Sequence, residues 1–308
     1  METANDTSDT QTIGVTLSGR VVAGLIADNK LAGPLHYFPE DPDDDALVEL
    51  PTDGLVEHLC QEIIAAAAGS TAIAAVGVAL PGFIRNGVVE EAPNLPQLKG
   101  TRIQDLLSYA LKSEGFNTQV VVMNDADAVA SGLAATRGQL DRLIRVWTLG
   151  IGIGYGRYPM TEGVWEGGHT VVTLEDKENY CGCGGRGHLE GVMGQRAMRL
   201  RFLDMEPEEV FEAAKQGDPR CLEFKKLWHK ALAAATATTF HMAGPGKVYL
   251  TGMNVGFVDL PMLKDYVHQM VTMSPLQNYS LEVIAADAEM AEVAVIGAGV
   301  TALQMGKG

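Results

Sequence analysis

The most distinctive part of the chain runs from Glu166-Gly-Gly-His169 to Cys181-Gly-Cys183-Gly-Gly-Arg-Gly-His188-Leu-Glu190. Two thiols and two imidazoles fall within 20 positions of one another. Zn²⁺ binds thiolate sulfur and imidazole nitrogen, and structural sites usually use four such ligands. The glycines at 182, 184, 185 and 187 favour tight turns between ligands, because glycine adopts positive φ without strain. The pattern predicts a closed Cys₂His₂ zinc site formed by His169, Cys181, Cys183 and His188.

A plainer interpretation of this stretch stays open. The same residues are compatible with two buried cysteines in a glycine-rich loop, with the histidines placed by chance. A disulfide between Cys181 and Cys183 is disfavoured, because cysteines one residue apart are too close for an easy bridge. The chain has four cysteines, and two of them bound to metal fit a reducing cytoplasm.

The same motifs resemble the ROK family of bacterial repressors, open reading frames and sugar kinases. The family signature couples E-x-G-H to C-x-C-G-x-x-G-C-x-E, and it is matched here by residues 166–169 and 181–190. The chain departs from the family at one ligand, because the third cysteine is His188. Zinc accepts this exchange, but the site becomes formally neutral. We therefore expect weaker and more pH-sensitive metal binding, since histidine must be deprotonated to bind.

Length and composition favour a soluble globular protein. A chain of 308 residues is long for one core and suits two domains. The formal charge of −16 argues against nucleic acid as a partner, because phosphate backbones require basic surfaces. Apolar runs stay below the ~20 residues needed to cross a bilayer, so we expect no membrane partner. Residues 1–10 are polar and acidic, unlike a signal peptide, and predict a short disordered tail.

The first half of the chain alternates strand and helix patterns. Residues 12–17 and 20–27 predict a hairpin around the Ser18-Gly19 turn, followed by a strand over 33–38. Residues 46–68 have apolar positions at helical spacing. The remaining predicted elements are a buried strand over 72–80, a helix over 103–113, a strand over 119–123 and an alanine-rich helix after it.

The second half begins in the same way as the first, with a strand over 142–149, glycines in 150–154 and a returning segment. Helices are predicted over 192–203, 208–216, 219–242 and 292–304, with a strand over 247–251. This weak repeat suits the two ribonuclease H-like lobes of the α/β actin–hexokinase superfold, which the ROK resemblance also implies. We expect an N-terminal lobe over 11–123, completed by 292–308, and a C-terminal lobe with the zinc knuckle over 124–291, with ligands in an interlobe cleft.

The resemblance, which spans the chain from Ile13 onward, implies a hexose site. Asn124 and Asp125 match the family's N-D motif, in which the aspartate is the general base. The other implied sugar contacts are Gly82, Asn94, Glu166, His169 and Glu190. Two alternatives stay open: Asn124 or Asp125 only caps the following helix, or Gly82 is only a turn glycine.

The phosphate-binding segments depart from the family pattern. The family's D-x-G-G-T is Thr16-Leu-Ser18-Gly19-Arg20, and its G-T-G-x-G is Gly150-Ile151-Gly152-Ile-Gly154. Thr16 replaces the carboxylate that helps to hold Mg²⁺, while Arg20 and Ile151 replace hydroxyls. Glycine N–H groups still suit phosphate binding. The implied nucleotide contacts are therefore Ser18, Gly19, Arg20, Gly150, Gly152 and, by a looser match, Gly252.

The resemblance and the departures from it leave two functions open. The first is an ATP- and Mg²⁺-dependent hexose kinase, which the resemblance suggests to be a homodimer. The second is a sugar-binding or regulatory protein that has kept the sugar pocket and lost the phosphate machinery. A repressor is disfavoured, because about a dozen residues before the first strand are too few for a helix-turn-helix. The sequence does not select one hexose.

Overall fold

The structure, a computed structural model, describes residues 10–41, 45–70, 72–161, 166–285 and 288–306. The predicted disordered tail lies outside these residues apart from Thr10. The strands are β1 (Gln11–Ser18), β2 (Arg20–Ala27), β3 (Lys30–Leu31), β4 (His36–Phe38), β5 (Ile73–Leu80), β6 (Phe83–Arg85), β7 (Val88–Glu91), β8 (Gln119–Asn124), β9 (Ile144–Leu149), β10 (Ile153–Tyr158), β11 (Lys247–Thr251) and β12 (Ser280–Val283). The helices are α1 (Ala46–Glu49), α2 (Thr52–Ala66), α3 (Ile103–Ser113), α4 (Asp125–Thr136), α5 (Leu189–Met193), α6 (Gln195–Arg201), α7 (Pro207–Gln216), α8 (Pro219–Ala243), α9 (Leu260–Met270) and α10 (Ala288–Met305).

The chain divides into two compact units. Unit 1 contains Met1–Ile144, Gly156–Val164 and Asp287–Gly308, and unit 2 contains Arg145–Tyr155 and Trp165–Ala286. This division differs from the boundary expected after residue 123, because α4 lies in unit 1. The reason is its packing on α10, where a Cβ added to Gly132 would lie 1.8 Å from the carbonyl oxygen of Val293.

Unit 1 is built on a sheet with strand order β3-β2-β1-β5-β8, and β4 pairs with β2. β1 and β2 form an antiparallel hairpin, whereas β1, β5 and β8 are parallel. The side chains on the two faces of β5 differ in size. Val76 and Val78 pack in the core formed with α2 and α3, while Ala75 and Ala79 pack beside α10. Small residues are required on the second face, because α10 approaches the sheet closely.

Unit 2 contains most of a sheet with the order β10-β9-β11-β12. Its core buries Trp147 and Trp228 together with the apolar faces of the surrounding helices. α8 begins at Pro219, where Asp218 accepts a hydrogen bond from the Cys221 N–H at 2.9 Å. α8 has 25 residues, but among the described residues neither it nor another helix is long and apolar enough to span a membrane.

Several predicted elements are split in the structure. The helix predicted over 46–68 is interrupted at Pro51, which lacks an N–H and holds Leu50 in an extended conformation. The helix predicted over 192–203 is α5 followed by α6, with an extended Gly194 between them. The strand predicted over 33–38 is reduced to β4. The β6–β7 hairpin, α9 and β12 were not predicted from the sequence.

Candidate functional site

Four side chains of unit 2 form a compact group, here named the His/Cys cluster: His169, Cys181, Cys183 and His188. Their ligand atoms all lie within 4.8 Å of one another. The Sγ of Cys183 is 3.3 Å from the Sγ of Cys181 and 3.3 Å from Nδ1 of His188. Ligand atoms around tetrahedral Zn²⁺ are about 3.3–3.8 Å apart, given bonds of ~2.1 Å to nitrogen and ~2.3 Å to sulfur. The structure thus brings the four residues together with a donor set and spacing that fit zinc.

Backbone pairing explains how two histidines far apart in sequence come together. The N–H of Val172 donates to the carbonyl of Gly187 at 2.8 Å, and the N–H of Leu189 donates to that of Thr170 at 2.9 Å. The segment after His169 therefore runs antiparallel to the segment that carries His188. The two imidazole centroids are consequently 5.2 Å apart.

A buried ion pair anchors the loop that carries the cysteines. The Glu178 carboxylate, 4% exposed, accepts hydrogen bonds from the Arg201 guanidinium of α6. Arg201 also lies over the Tyr180 ring at 4.5 Å, and the Glu178 carbonyl accepts from the Gly187 N–H at 2.6 Å. Breaking a buried pair by removing one partner is strongly destabilising. The loop conformation is therefore fixed by residues outside the cluster.

The cluster is not a pair of buried cysteines. Cys181 is buried, whereas Cys183 is exposed, and neither forms a disulfide. Burial, with a further contribution from the Glu190 carboxylate, raises the pKa of the Cys181 thiol to about 12. Burial and the neighbouring His169 lower the pKa of His188, which favours the neutral imidazole that binds metals. A bound dication would deprotonate the thiols outright.

Two predicted sugar-binding carboxylates lie next to the cluster. Glu166 Oε2 is 3.8 Å from Nδ1 of His169. Glu190 lies in the first turn of α5, and its Oε1 accepts from the Cys181 thiol at 3.6 Å. Its Oε2 accepts from the Ile153 N–H at 3.1 Å. Both Glu190 oxygens thus have partners within unit 2.

The remaining predicted sugar residues belong to unit 1. Leu80 and Asn124 are paired at the carboxyl ends of the parallel strands β5 and β8. The Asn124 Nδ2 donates to the Gly82 carbonyl at 2.9 Å, and its Oδ1 accepts from the Ala126 N–H at 2.8 Å. Asn124 therefore caps α4 and places Asp125, which is half-buried, at its first position. Asn124 thus caps α4 and also lies at the carboxyl end of β8, so the two interpretations do not exclude each other.

Gly82 and Asn94 differ in their surroundings. Gly82 has a φ of +125°, and a Cβ there would lie 2.3 Å from the Glu91 carbonyl oxygen, so the turn itself requires glycine. Asn94 is exposed, just before the short 3₁₀ helix Pro96–Leu98. The structure joins Gly82 to Asn124 and leaves Asn94 on the surface.

The first glycine turn, Ser18 to Arg20, closes the β1–β2 hairpin. Ser18 and Arg20 are paired across it, and Gly19 has a φ of +80°. The Arg20 guanidinium lies 4.1 Å above the Tyr37 ring and donates to the Glu40 carbonyl at 3.3 Å. Thr16 is 3% exposed within β1. Arg20 therefore has structural partners in β4 and in the segment after it, and the position of the family's magnesium carboxylate is a buried hydroxyl.

The second glycine turn, residues 150–154, follows β9 and includes the first two residues of β10. Its Gly150 N–H donates to the Gly152 carbonyl at 3.0 Å. Ile151, the replacement for the family's threonine, is 61% exposed. The predicted nucleotide residue Gly252 lies beside this turn: a Cβ on it would be 2.4 Å from the Leu149 carbonyl oxygen. The structure thus brings together Gly150, Gly152 and Gly252.

Other site residues were not predicted from the sequence. Asp127, two positions after Asp125, accepts from the Arg157 N–H at 2.9 Å. Burial raises the pKa of Asp127 to about 7, although the Arg157 hydrogen bond opposes this. Asn254 and Gln195 contact the second glycine turn. Nothing in their local patterns distinguishes these residues, because their partners lie 30 or more positions away.

The chain is similar to known proteins over most of its length. Residues 44–305 match the ROK family, a range that includes the cluster and the second glycine turn but begins after the first. The glucokinase of Thermotoga maritima is 31% identical over 274 residues, covering 78% of this chain and 81% of that protein. The glucokinase of Pyrobaculum calidifontis is 30% identical over 192 residues, 58% of this chain, and the match spans 61% of that protein's length.

A solved structure extends the likeness to the fold. The ROK hexokinase from Thermus thermophilus aligns with 97% of this chain and 100% of its own, with a TM-score of 0.75 and 23% sequence identity. The predicted α/β fold of the actin–hexokinase type is confirmed. The family resemblance inferred from the cysteine and histidine motifs is also confirmed: the chain belongs to the ROK family.

Proposed function

We propose that the protein is a hexose kinase that uses ATP and has Asp125 as its general base. The observation that carries this proposal is the geometry of Asn124 and Asp125 at the carboxyl end of β8. In open α/β sheets this edge is where ligands bind. The glucokinase relatives support a sugar as the acceptor.

The chemistry assigned to Asp125 is proton transfer. Its carboxylate takes the proton of a sugar hydroxyl as that oxygen forms a bond to the γ-phosphorus and the bond to the leaving ADP oxygen breaks. Phosphoryl transfer depends mostly on positioning and charge neutralisation. Asn124, which bonds both Gly82 and the first turn of α4, would hold this carboxylate in place.

Two metals enter the proposal differently. The His/Cys cluster fits one structural Zn²⁺, which would fix His169 beside Glu166 so that both contact the hexose. Mg²⁺ fits less well, because Thr16 offers a buried hydroxyl where the family pattern has a carboxylate. We expect about one zinc per chain by elemental analysis of protein purified without chelator. Fully folded protein without metal would contradict the zinc assignment.

A second function is favoured by the first glycine turn. The partners of Arg20 and the burial of Thr16 suit a plain hairpin. A sugar-binding protein with impaired phosphoryl transfer would have this combination. The two functions share the hexose and differ in turnover. For either function, the family resemblance favours a cytoplasmic homodimer. Light scattering would test the dimer.

The variant Asp125→Ala tests the base. We expect it to abolish turnover and to leave hexose affinity within about threefold, because a general base acts mainly in the transition state. Coupled kinase assays give the turnover, and calorimetry with a panel of hexoses gives the affinity. A variant that keeps the wild-type kcat would show that Asp125 serves only as a helix residue.

A further inference from the structure

The second glycine turn is held from one side by a fully buried amide. Asn254 is 0% exposed and lies in the short 3₁₀ helix Met253–Phe257 after β11. Its Nδ2 donates to the carbonyl of Gly150 at 3.0 Å. That carbonyl also accepts from the Gln195 backbone N–H at 3.2 Å. The first peptide of the turn is therefore fixed by two donors from distant parts of the sequence.

Gln195 completes the arrangement through its side chain. Its Nε2 donates to Oδ1 of Asn254 at 3.0 Å, which fixes the orientation of the Asn254 amide. Gln195 is the first residue of α6, directly after the break at Gly194. This break makes the Gln195 N–H available to the Gly150 carbonyl, because a continuous helix would use that N–H within itself.

The opposite side of the turn is held by Glu190 of α5, through its bond to the Ile153 N–H at 3.1 Å. In contrast, two apolar side chains at the turn face solvent: Ile151 is 61% exposed and Met253 is 62% exposed. The backbone of the turn is thus fixed by residues of unit 2, whereas the side chains of Ile151 and Met253 face solvent.

We propose that Asn254 and Gln195 are positioning residues that fix the shape of the second glycine turn and, through it, the affinity for the phosphoryl donor. The second part rests on the proposed kinase function. A turn whose carbonyl is fixed inward presents its N–H groups in one arrangement, and such preorganised donors bind phosphate oxygens without an ordering penalty at the moment of binding. Neither residue needs to touch the donor.

Two isosteric variants separate the bonds. Asn254→Asp keeps the acceptor for Gln195 but places an oxygen against the Gly150 carbonyl. Gln195→Glu removes the donor to Asn254 and keeps the bond from Asn254 to Gly150. The matched control is Gln277→Glu, which removes an amide-to-carbonyl bond to Val271 of 3.0 Å elsewhere in unit 2.

The measurements are amide hydrogen exchange of residues 150–154 in ligand-free protein and calorimetric titration with ATP–Mg²⁺ and with glucose. Losing a buried hydrogen bond shifts an equilibrium by about tenfold. Asn254→Asp should therefore speed exchange in the turn about tenfold and weaken ATP binding by a similar factor, with glucose affinity unchanged. Gln195→Glu should have a smaller effect in the same direction, and Gln277→Glu none.

A merely structural role would give a different result. Unchanged exchange in the turn, or equal loss of ATP and glucose affinity, would overturn the positioning role. If the wild type binds no ATP, the donor assignment and that part of the proposed function fail. Exchange in the turn still decides whether Asn254 and Gln195 fix it.

Discussion

The two glycine turns of this protein occupy equivalent places in the predicted repeat but are held in different ways. The first turn closes a hairpin in which Ser18 pairs directly with Arg20. The second turn is bonded by the Glu190 side chain of α5, the Gln195 backbone N–H of α6 and the Asn254 side chain after β11. One is stabilised by its own strands, and the other is built by remote residues.

The two turns therefore differ in what their conformations require. A hairpin turn needs little beyond its glycine and the neighbouring strands. The second turn is held by Asn254, a buried amide outside the strands, and a buried amide must be paired to be tolerated.

The largest loss of stability is expected from Gly252→Ala, beside the second turn. Gly252 has a φ of +101°, and the added Cβ would lie 2.4 Å from the Leu149 carbonyl oxygen. We expect a loss of about 3 kcal/mol or more in the free energy of unfolding, from strain and backbone displacement. Gly19→Ala is the matched control and should lose only about 1 kcal/mol. Urea denaturation measures both losses. A larger loss for Gly19→Ala than for Gly252→Ala would contradict the difference proposed between the two turns.

Restoring the family residues sharpens the comparison in rate. The triple variant Thr16→Asp, Arg20→Thr and Ile151→Thr should raise turnover at least about tenfold, equivalent to ~1.4 kcal/mol of barrier. The three must be changed together, because groups that act as one unit are not additive. Thr16→Asp alone buries an unpaired carboxylate at a position that is 3% exposed, so it should lower stability. A triple variant with unchanged turnover would show that other residues limit the rate.

The sequence predicted the cluster and the strand-end residues, because their chemistry is written in local motifs. His169, Cys181, Cys183 and His188 lie within 20 positions, and Asn124 directly follows an apolar strand. Asn254, Gln195 and Asp127 were not predicted, since each acts through a partner at least 30 positions away. The breaks at Pro51 and Gly194 were also missed. There the apolar spacing continued, while the backbone did not.

A smaller effect concerns pH in unit 1. Burial raises the pKa of Asp127 to about 7 from its ordinary 3.8, so the folded state holds this proton more tightly than the unfolded state. Stability from this group is therefore present below pH 4 and is lost as the pH rises toward 7. Asp127→Asn should be more stable than the wild type by about 1 kcal/mol or more at pH 8, and about equal at pH 4. If the variant and the wild type were equally stable at pH 8 as well as at pH 4, the raised pKa of Asp127 would be contradicted.

The smallest effect is expected in unit 2, with the opposite sign. His229 is fully buried, and its Nε2 accepts from the Asp259 N–H at 2.8 Å. Burial lowers the pKa of His229 below its ordinary 6.5. Its contribution is complete above pH 6.5 and declines as the pH falls below that value, where the unfolded state gains a proton first. His229→Gln should flatten this decline by about 1 kcal/mol in urea titrations from pH 7.5 to 5.5. An unchanged slope would assign the decline to other groups.

The central claim is that a hexose site is retained while phosphoryl transfer is weakened at the first turn. A coupled assay with ATP–Mg²⁺ and a hexose panel, on protein whose hexose binding has been measured by calorimetry, tests it most directly. We predict clear binding of at least one hexose and a turnover well below the ~10 s⁻¹ of an ordinary enzyme. Brisk, Mg²⁺-dependent turnover of a common hexose would contradict the claim and show that Thr16 and Arg20 suffice at the first turn.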